Sequence, residues 1–331
     1  MDFRDVHVLI TGGAGFIGSH LVEELLRLGA RVRVLDNFST GKPSNLEHCG
    51  DRIELQEGDI RDMDACRQAV EAVHVVFHQA ALGSVPRSME DPATTMAVNV
   101  AGTANVFTAA RDAKVARVVY ASSSSVYGDS EKLPKREGQE GRPLSPYALS
   151  KVMNEEIAGL FARLFEMELI GLRYFNVYGP RQDPAGPYAA VIPKFFAALA
   201  SGKPPLIYGD GEQSRDFTFV EDAVAANLLA AAAPQSAIGR AYNIAAGRRT
   251  TVRELAMLVR ELVGKGPQPE CANPRSGDVL HSLADPTAAR EALGFCAQFS
   301  VEEGLAKTHE YYIELGECFS GEPPLTTRTL L

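Results

Sequence analysis

Short apolar runs alternate along this chain with stretches whose apolar residues recur every three to four positions. The runs at 6–11, 31–36, 53–58, 73–77, 116–121 and 168–174 read as strands. Between them, 15–28, 62–72, 94–113 and 145–166 carry helical periodicity. Gly29 stands where the first helix would be C-capped, and Ser145-Pro146 would cap and open the last. Strands alternating with helices predict an α/β fold, a Rossmann-type doubly wound parallel sheet. Beyond 175 the pattern loosens and Gly and Pro become frequent, with helices predicted at 189–201 and 252–263. An alanine-rich helical run at 223–233 is interrupted by Asn227. We expect a first domain over 1–175, rejoined by later segments. A smaller, interleaved α/β lobe should occupy mainly 176–315, followed by a tail at 316–331.

Composition narrows the field. A chain of 331 residues, 45% of them hydrophobic, can bury a sizeable core in one large or two modest domains. A net charge of -9 offers no global attraction to nucleic acid or to an anionic membrane, so neither partner is expected. An anionic ligand would need a local arginine cluster. Cys49, Cys66, Cys271, Cys296 and Cys318 are scattered without a CxxC, which reads as a reduced, cytoplasmic protein with no structural metal. No signal peptide is read at the N-terminus, and no apolar stretch approaches the ~20 residues of a membrane helix.

Two features carry chemistry. The first is Gly12-x-x-Gly15-x-x-Gly18, between the first strand and the first helix. Glycines there permit a tight turn and bring backbone against a pyrophosphate seated on the helix N-terminus. Phe16 and Ile17 lie within this turn. Asp36, ending the second strand, is placed to accept hydrogen bonds from an adenosine ribose and to repel a 2′-phosphate, which favours NAD over NADP. Arg31 and Arg33, just before it, are the residues that weigh the other way. Asn37, Asp59-Ile60 and Gln79-Ala80-Ala81 are the further expected cofactor neighbours, although Asp59 also reads as a loop cap.

The second feature is Tyr147 and Lys151, four residues apart in Ser-Pro-Tyr-Ala-Leu-Ser-Lys. On a helix they share a face. A phenol titrates at about 10 and is a poor base at neutral pH. The ammonium should favour the phenolate and lower that pKa. A tyrosine so tuned can exchange a proton with a hydroxyl while a hydride leaves the same carbon. Beside a dinucleotide site, this suggests carbonyl–alcohol redox. His78, by contrast, reads as a packing residue.

Together these residues resemble the extended short-chain dehydrogenase/reductase family, and within it the UDP-hexose 4-epimerases, over roughly residues 5–312. The resemblance implies a transient 4-keto sugar, with Ser123, Tyr147 and Lys151 catalytic. It implies that Asn99, in Asn-x-x-Gly-Thr, and Tyr174 lie at the cofactor and that Asn176 meets the substrate diphosphate. Val191 and Lys194 would lie by the uridine, with Tyr208 near it. Arg215, Arg275 and Asp278 would hold phosphate and ribose. It also implies a homodimer through the helices at 94–113 and 152–165.

Family members that dehydrate or decarboxylate place acids just before Val-Tyr-Gly, where this chain has Ser124 and Ser125. That favours simple epimerisation. The 80–88 loop, with Ser84 and Arg87, resembles that of epimerases acting on UDP-N-acetylhexosamines. Ser282 stands where glucose-restricted members carry a tyrosine, leaving room for a 2-acetamido group. UDP-N-acetylglucosamine is therefore the preferred expectation, with UDP-glucose as well. UDP-glucuronate is the alternative, its carboxylate held by Arg87 or Arg181. A net oxidoreductase and a non-catalytic NAD-sensing protein are the other readings.

Overall fold

Strand β1 (His7–Thr11) lies in the interior of a seven-stranded, wholly parallel sheet. To one side are β2 (Arg31–Asp36) and β3 (Ile53–Glu57). To the other are β4 (Val75–His78), β5 (Arg117–Ser123), β6 (Leu169–Tyr174) and, at the edge, β11 (Arg240–Ile244). The order β11-β6-β5-β4-β1-β2-β3 reverses direction between β1 and β4. A crevice opens at such a reversal, beyond the carboxyl ends of the strands. The computed structural model describes residues 1–184, 189–264, 266–273 and 280–315. Arg275, Asp278 and the 316–331 tail lie outside the described residues.

The central strands read as unbroken apolar runs because helices cover both faces. Every residue of β6 is buried, whereas edge strand β3 is half open to solvent. Helices α1 (Phe16–Arg27) and α8 (Val220–Ala232) pack one face through Leu21, Leu25, Ala226 and Ala230 against Ile10 and Leu172. Helices α2 (Met63–Ala69), α5 (Thr103–Asp112) and α6 (Pro146–Phe165) cover the other through Cys66, Phe107 and Ala158. Two short helices, α3 (Val85–Glu90) and α4 (Pro92–Met96), precede α5.

The structure corrects one predicted element. The single helix expected at 94–113 begins instead at Pro92, widens into a π-helical stretch at Ala97–Gly102, and resumes as α5. Asp91 caps it, accepting the Thr94 amide at 3.0 Å, with Pro92 in the first position. At Gly102 a Cβ would lie 2.6 Å from the Ile60 side chain, so only glycine lets the helix pass Ile60 this closely.

The later chain does two things. β11 returns to the main sheet beside β6. The rest builds a separate apolar cluster of Phe195, Phe196, Ile207, Phe217, Phe219, Val259 and Leu305. Helices α7 (Val191–Ala200), α9 (Val252–Leu262) and α11 (Val301–Leu315) contribute to it, while α10 (Thr287–Leu293) packs beside β11. Three two-stranded ladders complete this part: β7 (Val177–Tyr178) with β10 (Thr218–Phe219), β8 (Leu206–Tyr208) with β13 (Glu270–Ala272), and β9 (Ser214–Arg215) with β12 (Thr250–Thr251). Among the described residues no helix is long and apolar enough to cross a membrane.

Candidate active site

The crevice at the β1–β4 reversal holds a cavity of about 490 Å³. Its floor is the glycine turn. Gly12 has a φ of +70°, and a Cβ there would lie 2.7 Å from the backbone of Ala80. A Cβ at Gly18 would lie 2.1 Å from the Gly12 carbonyl oxygen. Glycine alone lets α1 start this close to β1. No side chain caps α1 at Gly15, so its first amides remain available to an anion. Phe16 and Ile17 line the same cavity.

Asp36 ends β2 at the cavity wall. Its carboxylate accepts the Ala14 and Phe38 amides, each at 2.9 Å. Both oxygens keep acceptor capacity for a diol. Burial raises its pKa, and the backbone hydrogen bonds oppose that. Arg33 is spent on the carbonyls of Ala69 and Glu71, at 2.8 Å each, and on Glu54 at 2.9 Å. Arg31 pairs with Asp5. The two arginines that could have favoured a 2′-phosphate are thus engaged elsewhere. Asn37, Asp59 and Ile60 line the wall beyond Asp36. Asn37 donates to Asp59 at 2.7 Å, and hydrogen bonds from Arg61 hold the Asp59 pKa down to about 2. This donor and acceptor set, with the glycine cradle, fits NAD.

The catalytic candidates meet at the other end. Ser145 accepts the Ala148 amide at 3.1 Å and Pro146 opens α6, which sets Tyr147 in the first turn and Lys151 one turn on. Both line the cavity with Ser123 and Ser124 from the end of β5. Lys151 is buried, donates to the Ala121 carbonyl at 2.8 Å, and lies 6.0 Å from the Tyr147 ring centroid. Burial lowers its pKa to about 8, with the Glu155 carboxylate opposing. The expectation that Lys151 lowers the tyrosine pKa is corrected here. Burial raises the Tyr147 phenol, and a hydrogen bond with Ser123 is what opposes it. The ammonium is turned onto the Ala121 carbonyl, so burial of the phenol sets the direction.

Gln79, Ala80, Ala81, Tyr174 and Asn176 complete the lining. Asn176 takes a φ of +36° and donates to the Asp216 carbonyl at 3.1 Å. Asn99 stands behind the lining rather than in it. Fully buried, its amide accepts from Leu82 N at 2.8 Å and donates to Leu82 O and to Ser150 Oγ at 3.0 Å. It therefore braces the chain after β4 and the residue next to Lys151.

The expected substrate residues are spread over neighbouring elements. Ser84 caps α3, accepting the Arg87 amide at 3.2 Å. Val191 and Lys194 lie in the first turn of α7 and Tyr208 ends β8. Arg215, on β9, donates to the Ser214 carbonyl at 3.0 Å, and the same carbonyl accepts the Ser282 amide at 3.0 Å. That places Ser282 beside Arg215. Arg181, considered for a sugar carboxylate, is instead paired with Glu23 of α1 at 2.6 Å.

Sequence reasoning missed Asn227. It sits fully buried in apolar α8 and donates to the Tyr174 hydroxyl at 2.7 Å. Gln79 donates to its carbonyl at 2.9 Å, and Tyr174 donates to Gln79 at 3.2 Å. The closed ring of three fixes the wall beside Lys151. A lone asparagine in an alanine run was the available signal. His78 is likewise structural: its ring bridges Thr11 at 2.7 Å and Thr103 at 2.9 Å, and burial pushes its pKa to about 3.

Comparison with known proteins agrees with this geometry. The model of the NAD dependent epimerase/dehydratase family matches residues 8–245. The UDP-glucose 4-epimerase of Mycolicibacterium smegmatis is 41% identical over 311 residues, covering 93% of this chain and 98% of its own. The crystal structure of UDP-glucose 4-epimerase from Thermotoga maritima with UDP-glucose superposes with a TM-score of 0.90 at 38% identity, covering 94% of this chain and 100% of that one. The UDP-N-acetylglucosamine 4-epimerase of Methanobrevibacter ruminantium M1 also gives 0.90, at 36% identity, over 94% and 99% of the two chains. The chain belongs to the NAD dependent epimerase/dehydratase family, as an extended short-chain dehydrogenase/reductase of the UDP-hexose 4-epimerase type that works with NAD.

Proposed function

We propose that this protein inverts C4 of UDP-sugars, converting UDP-N-acetylglucosamine to UDP-N-acetylgalactosamine and also UDP-glucose to UDP-galactose. The supporting observation is the single cavity in which Ser123, Tyr147 and Lys151 meet a glycine cradle and Asp36. Bound in that cradle, NAD supplies the acceptor and donor for the C4 hydride. Tyr147 takes the proton from the sugar O4 and later returns it. Ser123 bonds O4 and relays that proton. Lys151, released from Ala121, would bind the cofactor ribose, and the Ser123 hydrogen bond favours the phenolate.

The remaining residues hold the nucleotide. Asn176 and Arg215 anchor the diphosphate, joined by Arg275, and Asp278 accepts from the ribose. Val191, Lys194 and Tyr208 border the uridine. The segment after 176 thus works as the substrate lobe. Tight contacts to the UDP half and few to the sugar let the 4-ketose turn over and receive hydride on its other face. Ser124 and Ser125 supply no acid that would carry the ketose onward. Ser282 is a small residue beside Arg215, which accommodates an acetamido group.

We also propose a homodimer through α6. Leu149, Met153, Leu160 and Leu164 are 41%, 38%, 41% and 59% exposed. At about 100° per residue they form one stripe along the helix.

The test of substrate is to offer UDP-N-acetylglucosamine, UDP-glucose and UDP-glucuronate separately, without added cofactor, and follow the anomeric protons by NMR. Formation of UDP-N-acetylgalactosamine is expected. Conversion of UDP-glucose alone would overturn the reading of Ser282. Conversion of UDP-glucuronate alone would move the protein to the hexuronate branch.

A further inference from the structure

Glu155 stands one helical turn beyond Lys151 on α6, on the same face. It lies outside the cavity lining, and both oxygens of its carboxylate are engaged. Arg173 of β6 donates Nε to Oε1 at 2.9 Å and Nη2 to Oε2 at 2.7 Å. Ser122 of β5 donates its hydroxyl to Oε1. Arg173 is 6% exposed and also donates to the Tyr127 hydroxyl at 3.0 Å and to Glu140. Each contact adjoins a residue of the site. Ser122 precedes Ser123, Arg173 precedes Tyr174, and Ala121 carries the carbonyl that holds Lys151.

We propose that the Glu155–Arg173 pair, its arginine buried and its carboxylate half-buried, is a positioning device for the proton-handling residues. Glu155 keeps Lys151 charged, Arg173 limits how strongly it does so, and both tie down the strand ends that present Ser123 and Tyr174. The inference rests on the reading of Tyr147 and Lys151 given above.

Ionising a buried lysine is unfavourable unless an acid faces it. Among the described residues, the other groups around Lys151 carry no compensating charge. β4 presents His78, which burial holds neutral. β5 presents the Ala121 carbonyl and Ser123, α6 presents Tyr147, and β6 presents Tyr174. The π-helical stretch and α5 add the neutral Asn99 and Thr103. Around Glu155, Arg173 is the cation in direct contact. Glu156 and Arg163 of α6, Tyr120 of β5 and Arg240 of β11 line the groove outside the pair. Removing Glu155 should therefore weaken the field at Lys151, and removing Arg173 should strengthen it. A purely structural pair would not give opposite signs.

The test labels lysine with ¹³C at Cε in the NAD-loaded full chain and assigns Lys151 by its loss in Lys151→Arg. The resonance is then titrated in wild type, Glu155→Gln, Arg173→Gln and Ser122→Ala. We expect the midpoint to fall by about one pH unit in Glu155→Gln and to rise in Arg173→Gln. Ser122→Ala, which keeps both charges and disturbs folding least, should stay within a few tenths of wild type. No movement in Glu155→Gln or Arg173→Gln, or movement in the same direction in both, would overturn the proposal. A full unit in Ser122→Ala would overturn it as well, because hydrogen bonding rather than charge would then carry the effect. The readout needs no substrate. Opposite shifts in a protein inert toward UDP-sugars would leave the pair standing and remove the reading of the reaction.

Discussion

At the scale of single residues, the site is an argument about desolvation. Burial moves Lys151 down to about 8 and Tyr147 upward, so it drives the two apart in proton affinity, and the hydrogen bond with Ser123 is what opposes the rise at Tyr147. Tyr147→Phe should lower kcat by about 10³-fold while NAD stays bound, read by turnover and by cofactor absorbance after gel filtration. His78 shows the same effect outside the chemistry. Its pKa of about 3 lies below the ordinary value of about 6.5. Between those values the unfolded chain binds a proton that the folded chain refuses. Stability is thus intact above pH 6.5 and falls as pH drops through that window, by up to about 1.4 kcal/mol per unit. His20, pushed to about 4 by burial, acts in the same sense. Urea midpoints at pH 7 and pH 5 should show this loss, and His78→Gln should lessen it while being less stable at pH 7. Tyr147, Lys151 and Asp36 were legible in the sequence because their geometry is local, one helical turn or one strand end. Asn227 and Glu155 were not, because their partners lie 148 and 33 residues away in Gln79 and Ser122.

At the scale of elements, two junctions set the site. One is the turn from β1 into α1. Gly18→Ala would press a methyl group to 2.1 Å from the Gly12 carbonyl. We expect a loss of about 1–3 kcal/mol and a protein that purifies with less NAD, measured by urea midpoint and the 260/280 nm ratio. The other is the entry to α6, where a serine cap and proline fix Tyr147 in the first turn. Both junctions have strong sequence signals, since glycine, proline and capping residues act on their own backbone. The π-helical stretch at Ala97–Gly102 has none of comparable strength. It follows from Asn99 reaching Leu82 and from Gly102 passing Ile60, contacts that periodicity does not encode. β11 was similarly illegible, because a five-residue strand gains its place only by pairing with β6.

At the scale of the whole molecule, one parallel sheet holds the cofactor surface and a second apolar cluster carries the expected nucleotide residues. The exposed stripe on α6 is the outer surface of the helix that supplies Tyr147 and Lys151. Leu160→Glu should therefore shift the proposed dimer toward monomer in sedimentation equilibrium, and an unchanged mass would remove α6 as the interface. The central claim is that one hydride leaves C4 and returns to it within the protein. It is tested most directly by incubating the purified enzyme with UDP-N-acetylglucosamine in D₂O, without added cofactor, and reading C4 of the product by NMR. We expect UDP-N-acetylgalactosamine that retains protium at C4. Deuterium at C4, or no product with any of the three UDP-sugars, would contradict it.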